Sequence, residues 1–241
     1  MDEKELKTST KQRIFIIIIA ILMVGSIIAS YAAIVISGSQ GGSSNEPKVD
    51  ETKIAELTEQ YEAKQKELAE VSKPDFDKFV KYKADTVKAY NEASANEGGV
   101  QARDIEKGSG DKVTADNYLA YYVGWCADET VFDSSFDSIE SPTAFKGVLD
   151  PSMGLIEGWN KGVEGMRIEG IREITVPGEL AYGDTQEICG GKNKPLKFMI
   201  MAKAKEGKLA ELAAEINELQ MRLQYAYYGL DYDAVPVDEG Q

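Results

Sequence analysis

The residues with most chemistry to offer stand between Leu155 and Tyr182. Ile156, Trp159, Val163 and Met166 fall at i, i+3, i+7 and i+10, so one apolar stripe runs along a short helix. Trp159 stands at the start of that helix, where its ring can be buried while its N–H still needs a partner. Ile171 to Val176 is rich in β-branched residues and reads as a strand ended by Pro177-Gly178, after which Tyr182 sits at the mouth of a glycine-containing loop. The helix supplies a floor and the loop a polar rim. The sequence holds no histidine and only two cysteines, which excludes Ser-His-Asp and Cys-His catalysis and leaves no zinc site. Any reaction on that floor therefore runs without the side chain that titrates near neutrality.

Four fragments in register carry a resemblance. Phe132-Asp133-Ser134-Ser135, then Leu155-Ile156-Glu157-Gly158-Trp159 with Gly162 and Gly165-Met166, then Ala181-Tyr182-Gly183, and finally Leu196-Lys197-Phe198 resemble the FKBP-type peptidyl-prolyl cis-trans isomerases in order and spacing. The resemblance covers about residues 100–204, a usual size for one domain. It implies an α+β fold in which an antiparallel sheet wraps around the Trp159 helix, an enzyme without cofactor or metal, and proline-containing polypeptides as clients.

Rotation about a peptide bond is opposed by amide resonance, with a barrier of about 18–20 kcal/mol. Resonance separates charge and twisting removes that separation, so an apolar, water-poor pocket favours the twisted amide. Carried over by resemblance, Trp159 is the floor for the proline ring, and Tyr122, Phe132, Leu155, Ile156, Ile188 and Phe198 are the walls. Tyr182 is expected to donate its hydroxyl to the substrate carbonyl, and Asp133 to face the twisting amide from the pocket edge. Two departures from the family pattern surround the pocket. Thr143 replaces an aromatic, with the segment from Phe145 to Leu155 about three residues longer than usual, and Ile188-Cys189-Gly190-Gly191 replaces a common Ile-Pro pair. Cys126 and Cys189 are the one intramolecular disulfide open to an exported domain, and two buried free thiols are the alternative.

The rest of the chain positions this domain. Residues 1–13 read as a cytoplasmic tail with Lys4, Lys7, Lys11 and Arg13. Residues 14–37 form an uncharged run of 24, long enough to cross a bilayer, and Lys48 is the first basic residue after it. The positive-inside bias then makes this a transmembrane signal anchor, with the isomerase domain extracytoplasmic. A cleaved signal peptide is the alternative, but the apolar run outlasts a usual h-region. Residues 38–50 read as a flexible linker and 51–99 as a helical segment. Ile54, Leu57, Tyr61, Leu68 and Val71 stand at heptad positions, and Lys73-Pro74 is expected to end the first helix, with a second piece running to about Asn91. After the 100–204 domain, residues 205–229 form a C-terminal helix with Leu209, Leu212, Ile216, Leu219 and Leu223 at heptad spacing, followed by an acidic tail over 230–241. The two stripes invite an antiparallel pairing within the chain, with a homodimer through either helix as the alternative. A formal net charge of −14 repels phosphate, which makes nucleic acid an improbable partner. Two rival functions share the fold: a binding module without turnover, and a chaperone acting through its helical arms.

Overall fold

The computed structural model describes residues 49–136 and 148–234. Helix α1 (Glu51–Thr86) and the short α2 (Glu92–Asn96) precede strands β1 (Gln101–Glu106), β2 (Tyr118–Trp125) and β3 (Val131–Ser134). Helix α3 (Glu157–Val163), strands β4 (Ile171–Val176) and β5 (Leu196–Ala204) and helix α4 (Gly207–Tyr227) follow. Chain contacts define two units, Gln65–Ala214 and Met1–Lys64 with Glu215–Gln241. Residues 14–37, where the sequence suggests an anchor, lie outside the described residues, as do 1–13, most of the linker and the end of the acidic tail. Among the described residues no helix is long and apolar enough to cross a membrane.

The larger unit is built on a five-stranded antiparallel sheet in the order β1-β4-β5-β2-β3. Strands β2 and β5 pair from Tyr118↔Ala204 to Trp125↔Lys197, so the alternation of one locks the alternation of the other. Tyr118 and Ala120 join Phe198, Ile200 and Ala202 on one face, which closes with Ile174 and Val176 over Trp159, Val163 and Met166. Helix α3 lies directly on β4 because Gly158 and Gly162 have no side chain. A Cβ at Gly158 would stand 2.1 Å from Val176 Cγ1, and one at Gly162 2.8 Å from Ile174 Cγ2. The helix is shorter than the stripe to Met166 suggests: it stops at Val163, and Gly165 takes a φ of 73°. The buried guanidinium of Arg172 closes that end, donating to the carbonyls of Gly162 (3.1 Å) and Glu164 (2.8 Å) while its Nε holds Asp104 at 2.6 Å.

The opposite face is buried as well. Leu119, Tyr121, Val123 and Trp125 are almost fully enclosed. Phe136 lies 5.2 Å from the Tyr121 ring and is met by Phe76 and Phe79 of α1 at 5.1 and 5.0 Å. Tyr121 donates to Ser72 Oγ at 2.6 Å, and Lys203 holds Asp75 at 3.0 Å. These contacts explain why the break expected at Lys73-Pro74 does not occur and α1 continues through Pro74. Proline removes one helical hydrogen bond, but ending the helix there would strip Phe76 and Phe79 from the sheet. The stripe also departs from the heptad: Leu68, Ala69 and Ser72 are buried, whereas Val71 is 39 % exposed. A straight helix against a sheet follows a 3.6-residue period, which the drift from 68 to 72, 76 and 79 matches.

In the smaller unit the start of α1 and the second half of α4 run antiparallel. Lys53 pairs with Asp231 (3.7 Å), Gln220 donates to Tyr61 (3.2 Å), and Lys64 pairs with Glu215 (2.8 Å). Ile54, Leu57, Tyr61, Ile216, Leu223 and Ala226 are buried. The antiparallel pairing within one chain that the two stripes suggested is thus present between these segments.

Candidate active site

The site begins where β2 and β3 pair. Ser135 accepts the Tyr122 N–H at its hydroxyl (3.0 Å) and returns its own N–H to the Tyr122 carbonyl (2.8 Å), while the Ser134 hydroxyl donates to that same carbonyl at 3.2 Å. The register places Asp133 opposite Gly124. The Tyr122 hydroxyl donates to Asp133 Oδ2, and the Ser134 N–H donates to Oδ1 at 2.9 Å. Both carboxylate oxygens are therefore held, and the group has a fixed orientation. Burial, then the negative charge of Asp133 and the hydrogen bond to it, push the Tyr122 hydroxyl far above its ordinary pKa, so it remains a donor.

Gly124 makes room for the walls. A Cβ there would lie 2.6 Å from Phe132 and 2.9 Å from Phe198, and those two rings meet edge to face at 5.7 Å. Phe198 also meets Trp159 at 5.4 Å, and Tyr122 meets it at 5.6 Å with planes 84° apart. The indole N–H of Trp159 donates to the Tyr118 hydroxyl at 3.0 Å, away from the pocket's carboxylate. Tyr118 is 1 % exposed, and burial pushes its hydroxyl up to about 12, with Trp159 opposing and Asp150 adding to the shift. No motif in the sequence marks Tyr118 as part of the site. Its signal was an indole donor and a phenol directed at the same side of one sheet.

Leu155, Ile156, Tyr182 and Ile188 are partly buried and packed against this aromatic cluster. Tyr182 follows a 3-10 turn (Gly178–Leu180), and its loop is closed by Gly183 N–H to Gly178 O (2.9 Å) and Asn193 N–H to Gly183 O (2.7 Å). Burial and then the Asp133 charge raise its hydroxyl pKa. Among the described residues that hydroxyl has no hydrogen-bond partner, so it is free to donate to a ligand. At the loop tip, Cys189 adopts a φ of 59° and is bonded to Cys126, with Cα atoms 5.4 Å apart. The residues that the resemblance singled out thus lie together around Trp159. Thr143 and Phe145 lie outside the described residues. Among the described residues no acidic or cysteine cluster is arranged to hold a metal.

An antiparallel sheet closed over an indole thus gathers aromatic rings, one anchored carboxylate and the Tyr182 phenol into one cluster. Residues 106–203 match the family model described as FKBP-type peptidyl-prolyl cis-trans isomerase. The chain is 36% identical over 87 residues to the FK506-binding protein of Neisseria meningitidis serogroup B, covering 36% of this chain and 76% of that protein. It is 31% identical over 160 residues to the isomerase FkpA of Aeromonas hydrophila, covering 63% of this chain and 56% of that one. Among solved structures, FkpA from Escherichia coli is similar at 21% identity with a TM-score of 0.37, over 62% of this chain and 65% of that one. The chain belongs to the FKBP-type peptidyl-prolyl cis-trans isomerases.

Proposed function

We propose that the chain is a membrane-tethered isomerase that acts outside the cytoplasm on proline-containing segments of exported polypeptides. The substrate proline rests on the Trp159 ring between Tyr122, Phe132 and Phe198, with Leu155, Ile156 and Ile188 excluding water. Tyr182 donates its hydroxyl to a substrate carbonyl, and the Asp133 carboxylate faces the amide as it twists. The observation that carries this reading is the anchoring of Asp133 by the Tyr122 hydroxyl and the Ser134 N–H beside the indole. A carboxylate with both oxygens engaged needs no reorganisation as the amide loses its planarity, which is where preorganised polar groups lower a barrier. The uncharged run 14–37 with basic residues before it supports the tether, and the Cys126–Cys189 bridge fits an oxidising compartment.

The test is cis-trans isomerisation of a short Xaa-Pro peptide by the full chain in detergent micelles. Asp133→Ala is expected to lower kcat/KM by roughly tenfold or more, as for loss of one preorganised polar group, and Tyr182→Phe to lower it by roughly tenfold. A wild-type chain that is folded and binds the peptide without turning it over would move the reading to a binding module.

A further inference from the structure

The loop that carries Tyr182 is secured at both stems by a segment outside the family match. Helix α2 and the residues before it precede residue 106, where that match begins. At one stem, the backbone N–H of buried Gly178 donates to the Asn96 side-chain oxygen at 2.9 Å, a contact spanning 82 residues. Gly178 lies close against the Asn193 backbone, where no side chain fits: a Cβ there would stand 2.1 Å from the Asn193 carbonyl oxygen. At the other stem, the Tyr90 hydroxyl is 2.8 Å from the Pro195 carbonyl, and Lys194 pairs with Glu92 at 2.7 Å. The Tyr90 stretch is itself fixed to the end of β2. The Tyr90 N–H donates to Ala127 O (3.0 Å), and the Trp125 indole donates to Lys88 O (3.0 Å).

We propose that Asn96, with Tyr90 at the opposite stem, is a positioning residue for Tyr182, setting where the catalytic loop presents its hydroxyl above the Trp159 floor. Asn96 touches no substrate. It satisfies a buried backbone donor at the point where the loop leaves β4, four residues before Tyr182, and an unsatisfied donor there favours a shifted loop. The proposal rests on the role given to Tyr182 above.

The experiment is a double-mutant cycle on the full chain in micelles, measuring kcat/KM for an Xaa-Pro peptide together with hydrogen exchange over residues 179–194. Asn96→Ala is expected to lower kcat/KM by about tenfold, as displaced positioning groups do, and to speed exchange in the loop but not in β2 or β5. Asn96→Asp keeps the acceptor and is expected to restore most of the activity. In a Tyr182→Phe background, Asn96→Ala is expected to cost less than about twofold, since two residues acting through one contact are not additive. Equal losses in both backgrounds, or unchanged loop exchange, would overturn the positioning role while leaving Tyr182 in place. A Tyr182→Phe variant as active as wild type would remove the carbonyl-donor role itself, and this inference with it.

Discussion

Tyr118 decides how the Trp159 ring is presented. By accepting the indole N–H it turns the one polar atom of Trp159 toward the sheet and leaves the ring face apolar. Tyr118→Phe strands a buried donor and is expected to cost about 1–3 kcal/mol in urea denaturation, with a shift in tryptophan emission. Unchanged stability would show that the indole finds another acceptor. A second residue-scale consequence concerns acid. Burial alone would raise the Glu173 carboxyl, but hydrogen bonds from Lys197 (2.8 Å) and Arg103 (2.7 Å) and their charge outweigh it and hold the group below its ordinary value. A carboxylate lowered on folding contributes stability that is complete above its unfolded pKa, about 4.3, and is lost as pH falls through the lower folded value. Glu173→Gln is therefore expected to flatten the acid limb of a stability-against-pH curve, and an unaltered limb would assign acid unfolding to other groups. Individual members of this aromatic cluster were legible from short motifs. The hydrogen bonds by which Tyr118, Ser134 and Ser135 orient them were not, because a bond between strands depends on register, which one strand's pattern does not disclose.

At the scale of elements, the approach of α3 to β4 depends on Gly158 and Gly162. Gly158→Ala places a Cβ against Val176 and the Leu180 carbonyl, at 2.1 and 3.0 Å, and overpacking of this kind is expected to destabilise by about 1–3 kcal/mol. Val176→Ala in the same chain is expected to recover part of the loss, measured by thermal unfolding; no recovery would place the strain at the Leu180 carbonyl. The apolar stripe of α3 was readable, as was the β-branched run of β4. The course of α1 was not. Pro74 is a strong local stop signal, but it competes with Phe76, Phe79 and Ser72, whose burial depends on a sheet formed from residues much later in the chain. Local propensity loses when tertiary burial on one continuous helix is large enough.

On the scale of the whole molecule, the Cys126–Cys189 bridge closes a separation of 63 residues between the end of β2 and the tip of the Tyr182 loop. In the chain-entropy model a loop of that size is worth roughly 4 kcal/mol, so reduction by a dithiol is expected to lower the urea midpoint. An unchanged midpoint would mean that the loop's remaining contacts carry its stability. The domain is also larger than its family match, since Gln65–Ala214 forms one unit that includes the end of α1, whose Phe76 and Phe79 pack on Phe136. The sheet order has a consequence in time. Strand β5 is the last made, yet it lies between β4 and β2. As the chain leaves the ribosome, β2 and β4 wait without their shared neighbour until residue 204 has been added. A nascent chain halted before Leu196 can then form only the separate β1–β4 and β2–β3 pairs, each with an open edge, a state that invites association with other chains.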